Sequence, residues 1–135
     1  MLFTRVEDLT GRIISTESYC EQADIENNQR EGTTLYEGVH DGSVTFFDKK
    51  TFAFTDRPVM EISTNKMVIK ADGVDSLEVT GLPKGITSVS IDGPIGAKWD
   101  EKGRSLSLTV DIPGTYYLQL SQAPYITTNV TFYGT

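Results

Sequence analysis

Leu106, Leu108 and Val110 alternate with Ser107 and Thr109, and the run then breaks at Asp111-Ile112-Pro113-Gly114. Tyr116, Leu118 and Leu120 resume the alternation, with Tyr117 and Gln119 between them. A period of two places successive side chains on opposite faces, so each run reads as a β-strand with one buried face. Few other patterns fit two alternating runs on either side of a Pro-Gly turn. The stretch constrains the chain to a layered β structure.

The same pattern extends upstream to Met60. Met67 and Ile69, Leu77 and Val79, and Val89 and Ile91 mark short strands. They are separated by the turn signals Asp72-Gly73, Gly81-Leu82-Pro83-Lys84-Gly85 and Asp92-Gly93-Pro94. Ile95–Trp99 is a further short apolar run, and Val130 with Phe132 closes the series. Short strands between regularly spaced turns predict a β-sandwich over 60–135.

Residues 1–57 differ in character. They carry net −5, against −2 for 60–135. Asp56-Arg57-Pro58 is the expected boundary, because proline removes a donor and biases Arg57 to an extended conformation. Residues 2–6 and 12–16 predict an opening hairpin, and Thr33–Glu37 a third strand. The polar segment 17–31 predicts one short helix, with Ser18 as its cap, Glu21 completing a capping box and Asn27-Asn28 at its end. Residues 43–55 predict a second hairpin. A three-residue loop at Asp48-Lys49-Lys50 would pair Phe46 with Phe52 and Val44 with Phe54. It is preferred to a two-residue loop because it gathers four large apolar side chains on one face. The fold expected is therefore mainly β: a small β-rich lobe over 1–57, then a sandwich over 60–135.

Composition narrows the function. A net charge of −7 and a pI near 4.6 argue against binding nucleic acid, which needs clustered Lys and Arg, and against anionic lipid. No apolar run approaches the ~20 residues of a membrane span. Met1–Asp8 lacks a basic region followed by an apolar core, so no signal peptide is expected. Cys20 is the only cysteine, which excludes an internal disulfide and fits synthesis in a reducing cytosol.

Catalytic constellations are sparse. His40 is the only histidine, and no motif joins it to Cys20 as nucleophile and base. Asp24 with Glu26, and Asp100 with Glu101, are near neighbours in sequence, unlike the facing carboxyls of a glycosidase. Asp72-Gly73-Val74-Asp75 lacks the further acids of a calcium loop. Asn129-Val130-Thr131 matches a glycosylation triplet but lies inside an expected strand. No catalytic residue, metal or cofactor is expected. Aromatic residues are the remaining candidates for contact with a partner. Phe47 and Tyr117 are out of phase with the buried faces, and Trp99 and Tyr125 are further candidates wherever their rings are exposed. The competing reading is that each packs against the neighbouring lobe.

Two resemblances follow from these residues. Asp111, Gly114 and Tyr116 resemble the tyrosine corner of immunoglobulin-like sandwiches, where a Tyr hydroxyl ties back to backbone just upstream. The resemblance implies a structural role for these three residues. The whole pattern resembles small proteins encoded among the tail and tail-fibre genes of tailed bacteriophages. It is carried by "LFTRVEDLTGRII", "REGTTLYEGVHDGSVTFFD", "FTDRPVM", "VTGLPKGITSVSIDGP" and "DIPGTYYLQLSQAPYITTNVTF". It implies a non-enzymatic virion component of the tail region with an immunoglobulin-like end, made in the host bacterial cytoplasm. Such a protein would be present in multiple copies in an assembly and would contact other virion proteins. The alternatives are a fibre assembly factor absent from the mature particle and a module that binds host surface glycan through Trp99, Tyr117 or Tyr125.

Overall fold

A computed structural model describes all residues, 1–135. The chain is mainly β and divides into two compact units, Met1–Pro58 and Val59–Thr135.

The first unit opens with β1 (Leu2–Glu7) and β2 (Ile13–Ser18). Helix α1 (Gln22–Asn27) and β3 (Thr33–Glu37) follow, then the hairpin β4 (Thr45–Asp48) and β5 (Ala53–Asp56). β1 lies between β2 and β3, antiparallel to both. Its residues Phe3, Thr4, Arg5 and Val6 are all buried, so both faces of this strand are covered. The side bearing Thr4 carries Tyr36, which stacks on Phe47 of the hairpin with ring centroids 4.3 Å apart. The Phe47 N–H also donates to the Gly11 carbonyl at 2.9 Å. The side bearing Arg5 meets the segment around α1.

Two expectations for this unit are corrected. Ser18 does not cap the helix; it ends β2, and the N-cap is Glu21, which makes no side-chain capping bond. The chain needs the extra residues to leave the sheet before it can turn helical. In the hairpin, Phe47 lies opposite Phe54 and Phe46 opposite Thr55, across a turn formed by residues 49–52. The Asp48 carboxylate accepts the Lys50 N–H at 2.9 Å and starts this turn. The longer turn moves the pairing, so Phe47 is buried while Val44 is half exposed.

The second unit contains β6 (Ser63–Thr64), β7 (Val68–Ile69), β8 (Ser76–Thr80), β9 (Thr87–Asp92) and β10 (Ala97–Glu101). β11 (Ser105–Thr109), β12 (Gly114–Ser121) and β13 (Thr128–Gly134) complete it. A five-stranded sheet runs β10-β9-β12-β13-β7, and a three-stranded sheet runs β11-β8-β6. The strand pairings are antiparallel except β7 with β13, and an isolated parallel bridge joins Val59 to Ile126. Leu77, Val79, Leu106 and Leu108 from the smaller sheet share one core with Val89, Tyr116, Leu118, Leu120 and Phe132 from the larger. The alternation of the sequence thus becomes a two-layer packing, with Ser and Thr turned outward.

Candidate functional site

Three clusters gather the side chains with chemistry. The first is polar and buried. Arg5 is fully removed from solvent. Its Nε and Nη2 donate to Glu17 Oε2 and Oε1 at 2.5 and 2.8 Å. Nη1 donates to Thr33 Oγ1 at 2.8 Å, and Nη2 also donates to the Asn28 carbonyl at 2.7 Å. Glu17 accepts further bonds from Ser15 Oγ at 2.6 Å and from the Tyr19 hydroxyl. Hydrogen bonding from Arg5, reinforced by Ser15 and Tyr19, holds the Glu17 carboxyl down at about 2, against the opposing effect of burial. The same contact with Glu17 raises Arg5 above its usual range. Each of the three Arg5 nitrogens reaches an acceptor within the chain. The cluster fastens the segment after β2, through Asn28 and Thr33, to the face of β1.

The second cluster is aromatic. Phe47 stacks on Tyr36 and meets Phe52 and Phe54 edge-on, with centroids 5.2 Å apart in both cases. His40 stacks on Phe54 at 3.6 Å. Phe47 is 5% exposed, whereas Phe52 is 73% exposed. Phe52 also has φ of 54°, the left-handed region that bulky residues seldom enter. The turn thus lifts one ring out of the stack into solvent. The expectation that Phe47 faces outward is corrected: it is the floor of this cluster, and Phe52 is its exposed tip.

The third is the start of β12. Tyr116 is buried, stacks on Phe132 at 5.1 Å and donates its hydroxyl to the Ile112 carbonyl at 2.6 Å. Gly114 lies against Pro94; a Cβ there would come within 2.5 Å of the Pro94 Cγ. Asp111 is exposed and takes no part in the tie. Tyr117, one residue on, is 57% exposed. Trp99 and Tyr125 are half-buried and pack against the sandwich core, so each offers only part of its ring to solvent.

The residues considered for catalysis are not brought together. Cys20 is exposed, no hydrogen bond joins it to His40, and His40 is occupied with Phe54. No group of three or more His, Cys, Asp or Glu side chains converges on a metal-sized site. Asp72 accepts the Val74 and Asp75 N–H groups at 2.9 and 2.8 Å, which makes Asp72–Asp75 a self-closed turn. No helix is long and apolar enough to cross a membrane. No family model, curated protein or solved structure matches the chain.

Proposed function

We propose that this chain is a non-enzymatic docking and display component of a tailed-phage virion, resident in the tail region. The observation that carries the reading is Phe52: a large apolar ring in solvent, on a backbone conformation that costs of order 1–3 kcal/mol for such a residue. Its edge-on contacts with Tyr36 and Phe47 recover part of that strain while leaving the ring free to anchor a partner. In this reading the N-terminal unit seats on another virion protein through Phe52. The C-terminal unit reads as an immunoglobulin-like sandwich. Its leading segment is split between sheets as β6 and β7, and Tyr116 is tied back at the start of β12. The resemblance to tail and tail-fibre proteins supports the placement in the virion.

The test is quantitative mass spectrometry of purified particles, for the wild type and for Phe52→Asn, which tolerates the left-handed backbone. The wild type should be found in particles and Phe52→Asn should be depleted from them with its fold intact. A wild-type chain abundant in the lysate but missing from particles would instead identify a fibre assembly factor.

A second reading has its own observation. Lys98, Ser90 and Gln119 lie in one row across β10, β9 and β12, and Asp100, Ser88 and Ser121 in the next. They line an open trough of about 550 Å³, with Tyr117 exposed on the same face of β12. Small hydroxyls between longer polar groups suit a polyhydroxylated ligand such as host glycan. Glycan binding that Tyr117→Ala abolishes would favour this reading.

A further inference from the structure

The two layers of the C-terminal unit are unequal. The five-stranded sheet ends at β10, and the three-stranded sheet ends at β11. Between these two edges lies an open cleft of about 330 Å³, lined by Ile91, Ile95, Trp99, Leu108, Val110 and Tyr116 among others. Ile95 is exposed, and Trp99 and Val110 are only half-buried. One more strand beside β11, at the usual spacing of ~4.8 Å, would lie under β10 and cover them.

The β11 edge itself is unguarded. Edge strands are usually protected by charge, proline or a bulge. β11 is Ser-Leu-Ser-Leu-Thr, without charge or proline, and pairs with β8 in unbroken register. β10, the other five-residue edge of this unit, carries Lys98, Asp100 and Glu101. The charges around β11 are also ordered. Arg104 is exposed just before it, with its Nε donating to the Leu82 carbonyl at 3.4 Å, and Asp111 is exposed just after it.

We infer that the β11 edge and the cleft under β10 form an acceptor site for an extended segment of a partner protein, which enters as a fourth strand of the small sheet. Main-chain hydrogen bonds to β11 supply affinity, and alternate side chains of the segment fill the cleft. The segment runs antiparallel to β11, with a basic residue near Asp111 at its N-terminal end and an acidic one near Arg104 at its C-terminal end. Its inward side chains are apolar and of about Val size. A cleft of about 330 Å³ has room for the side chains of one free-standing strand. A chain that dimerises through β11 in the absence of peptide would overturn this choice of occupant. This inference goes beyond the virion reading and is independent of Phe52.

Trp99 is the only tryptophan and lines the cleft; it also borders the trough on β10, so its emission is read together with exchange at β11. The ligand for the test is the synthetic peptide Lys-Val-Thr-Val-Thr-Val-Glu, titrated into the full chain. Controls are the same peptide with proline replacing its central Val, and one with its terminal charges exchanged. Amide hydrogen exchange over 105–109 is followed in parallel. The expected result is a saturable blue shift of Trp99 with outward amides of β11 slowed by about tenfold or more. The proline peptide should have no effect, and the charge-exchanged peptide should bind more weakly. No saturable change up to millimolar peptide, or an equal response to the proline peptide, would overturn the inference. Because purified chain alone is used, that failure leaves the virion reading untouched.

Discussion

Glu17 grips the Arg5 guanidinium at two points, Nε to Oε2 at 2.5 Å and Nη2 to Oε1 at 2.8 Å, with Arg5 wholly out of solvent. Two-point pairing fixes orientation as well as distance. With Thr33 and Asn28 on two further N–H groups, the pair orders a polar segment that offers only Ile25 as a buried apolar residue in α1. A small unit with little hydrophobic material in this region relies on a satisfied polar cluster to define how its chain crosses the sheet.

Acid should weaken the N-terminal unit through Glu17. Its folded pKa, about 2, lies below the ordinary 4.5, so the unfolded chain takes up its proton first as pH falls. The stabilisation is therefore complete above roughly pH 5 and is lost as pH falls through the folded value near 2. Linkage puts it on the order of 3 kcal/mol. Glu17→Gln should remove most of the acid dependence in this window. It should also lower stability at neutral pH by about 3–5 kcal/mol, because Arg5 is left buried without its counter-charge. Hydrogen exchange of β1 amides against pH measures both. A wild type and a Glu17→Gln chain with parallel pH profiles between 5 and 2 would refute the assignment.

Gly11 and Gly32 share a left-handed backbone, φ 75° and 76°, but not their surroundings. A Cβ on Gly11 would sit 2.0 Å from the Phe47 carbonyl oxygen, whereas one on Gly32 meets nothing within 4 Å. Gly32→Ala should therefore show the conformational term alone, about 1–2 kcal/mol. Gly11→Ala should exceed it, because the hairpin carrying Phe47 must also move. Equal melting shifts for the two variants would mean that the hairpin is not held against Gly11.

Alternation made the second unit legible. Leu106 with Leu108 and Leu118 with Leu120 are buried where their phase places them, because each strand there has one covered face. β1 was harder, since both of its faces are covered. Arg5 in an alternating strand reads as a solvent-facing charge until Glu17 is known to lie on the same side. The hairpin failed on one count: gathering four aromatic and aliphatic residues on one face presumed a short loop. The turn instead spends Phe52 at its end in a left-handed position that sequence habit reserves for Gly or Asn. The available signal was Asp48 followed by Lys49-Lys50, where an Asp side chain can start a longer turn by accepting the N–H two residues on.

The C-terminal unit should fold alone. Its core, from Met60 to Phe132, is drawn entirely from residues after Pro58. A fragment of residues 59–135 should melt cooperatively, with Trp99 emission in the native range. A fragment that is expanded and non-cooperative by circular dichroism and fluorescence would show that residues 1–58 complete its fold.

Tyr116 and Tyr117 are neighbours with opposite assignments, and their truncations should separate cleanly. The Tyr116 ring lies against Phe132, and its hydroxyl reaches the Ile112 carbonyl at 2.6 Å. Tyr116→Phe keeps the ring and removes one net hydrogen bond, about 0.5–1.5 kcal/mol. Tyr116→Ala also opens a cavity between the layers, about 3–5 kcal/mol, as for other large-to-small core changes. Tyr117 projects from the outer face, opposite Asp92 and Thr131, and its truncation should cost less than about 1 kcal/mol. Urea melts followed by Trp99 emission give all three values in one protein background. Tyr116→Ala should do the most damage, Tyr116→Phe less and Tyr117→Ala the least. If Tyr117→Ala destabilises as much as Tyr116→Ala, the outer face of β12 is a packed face, and the glycan trough beside it loses its Tyr platform.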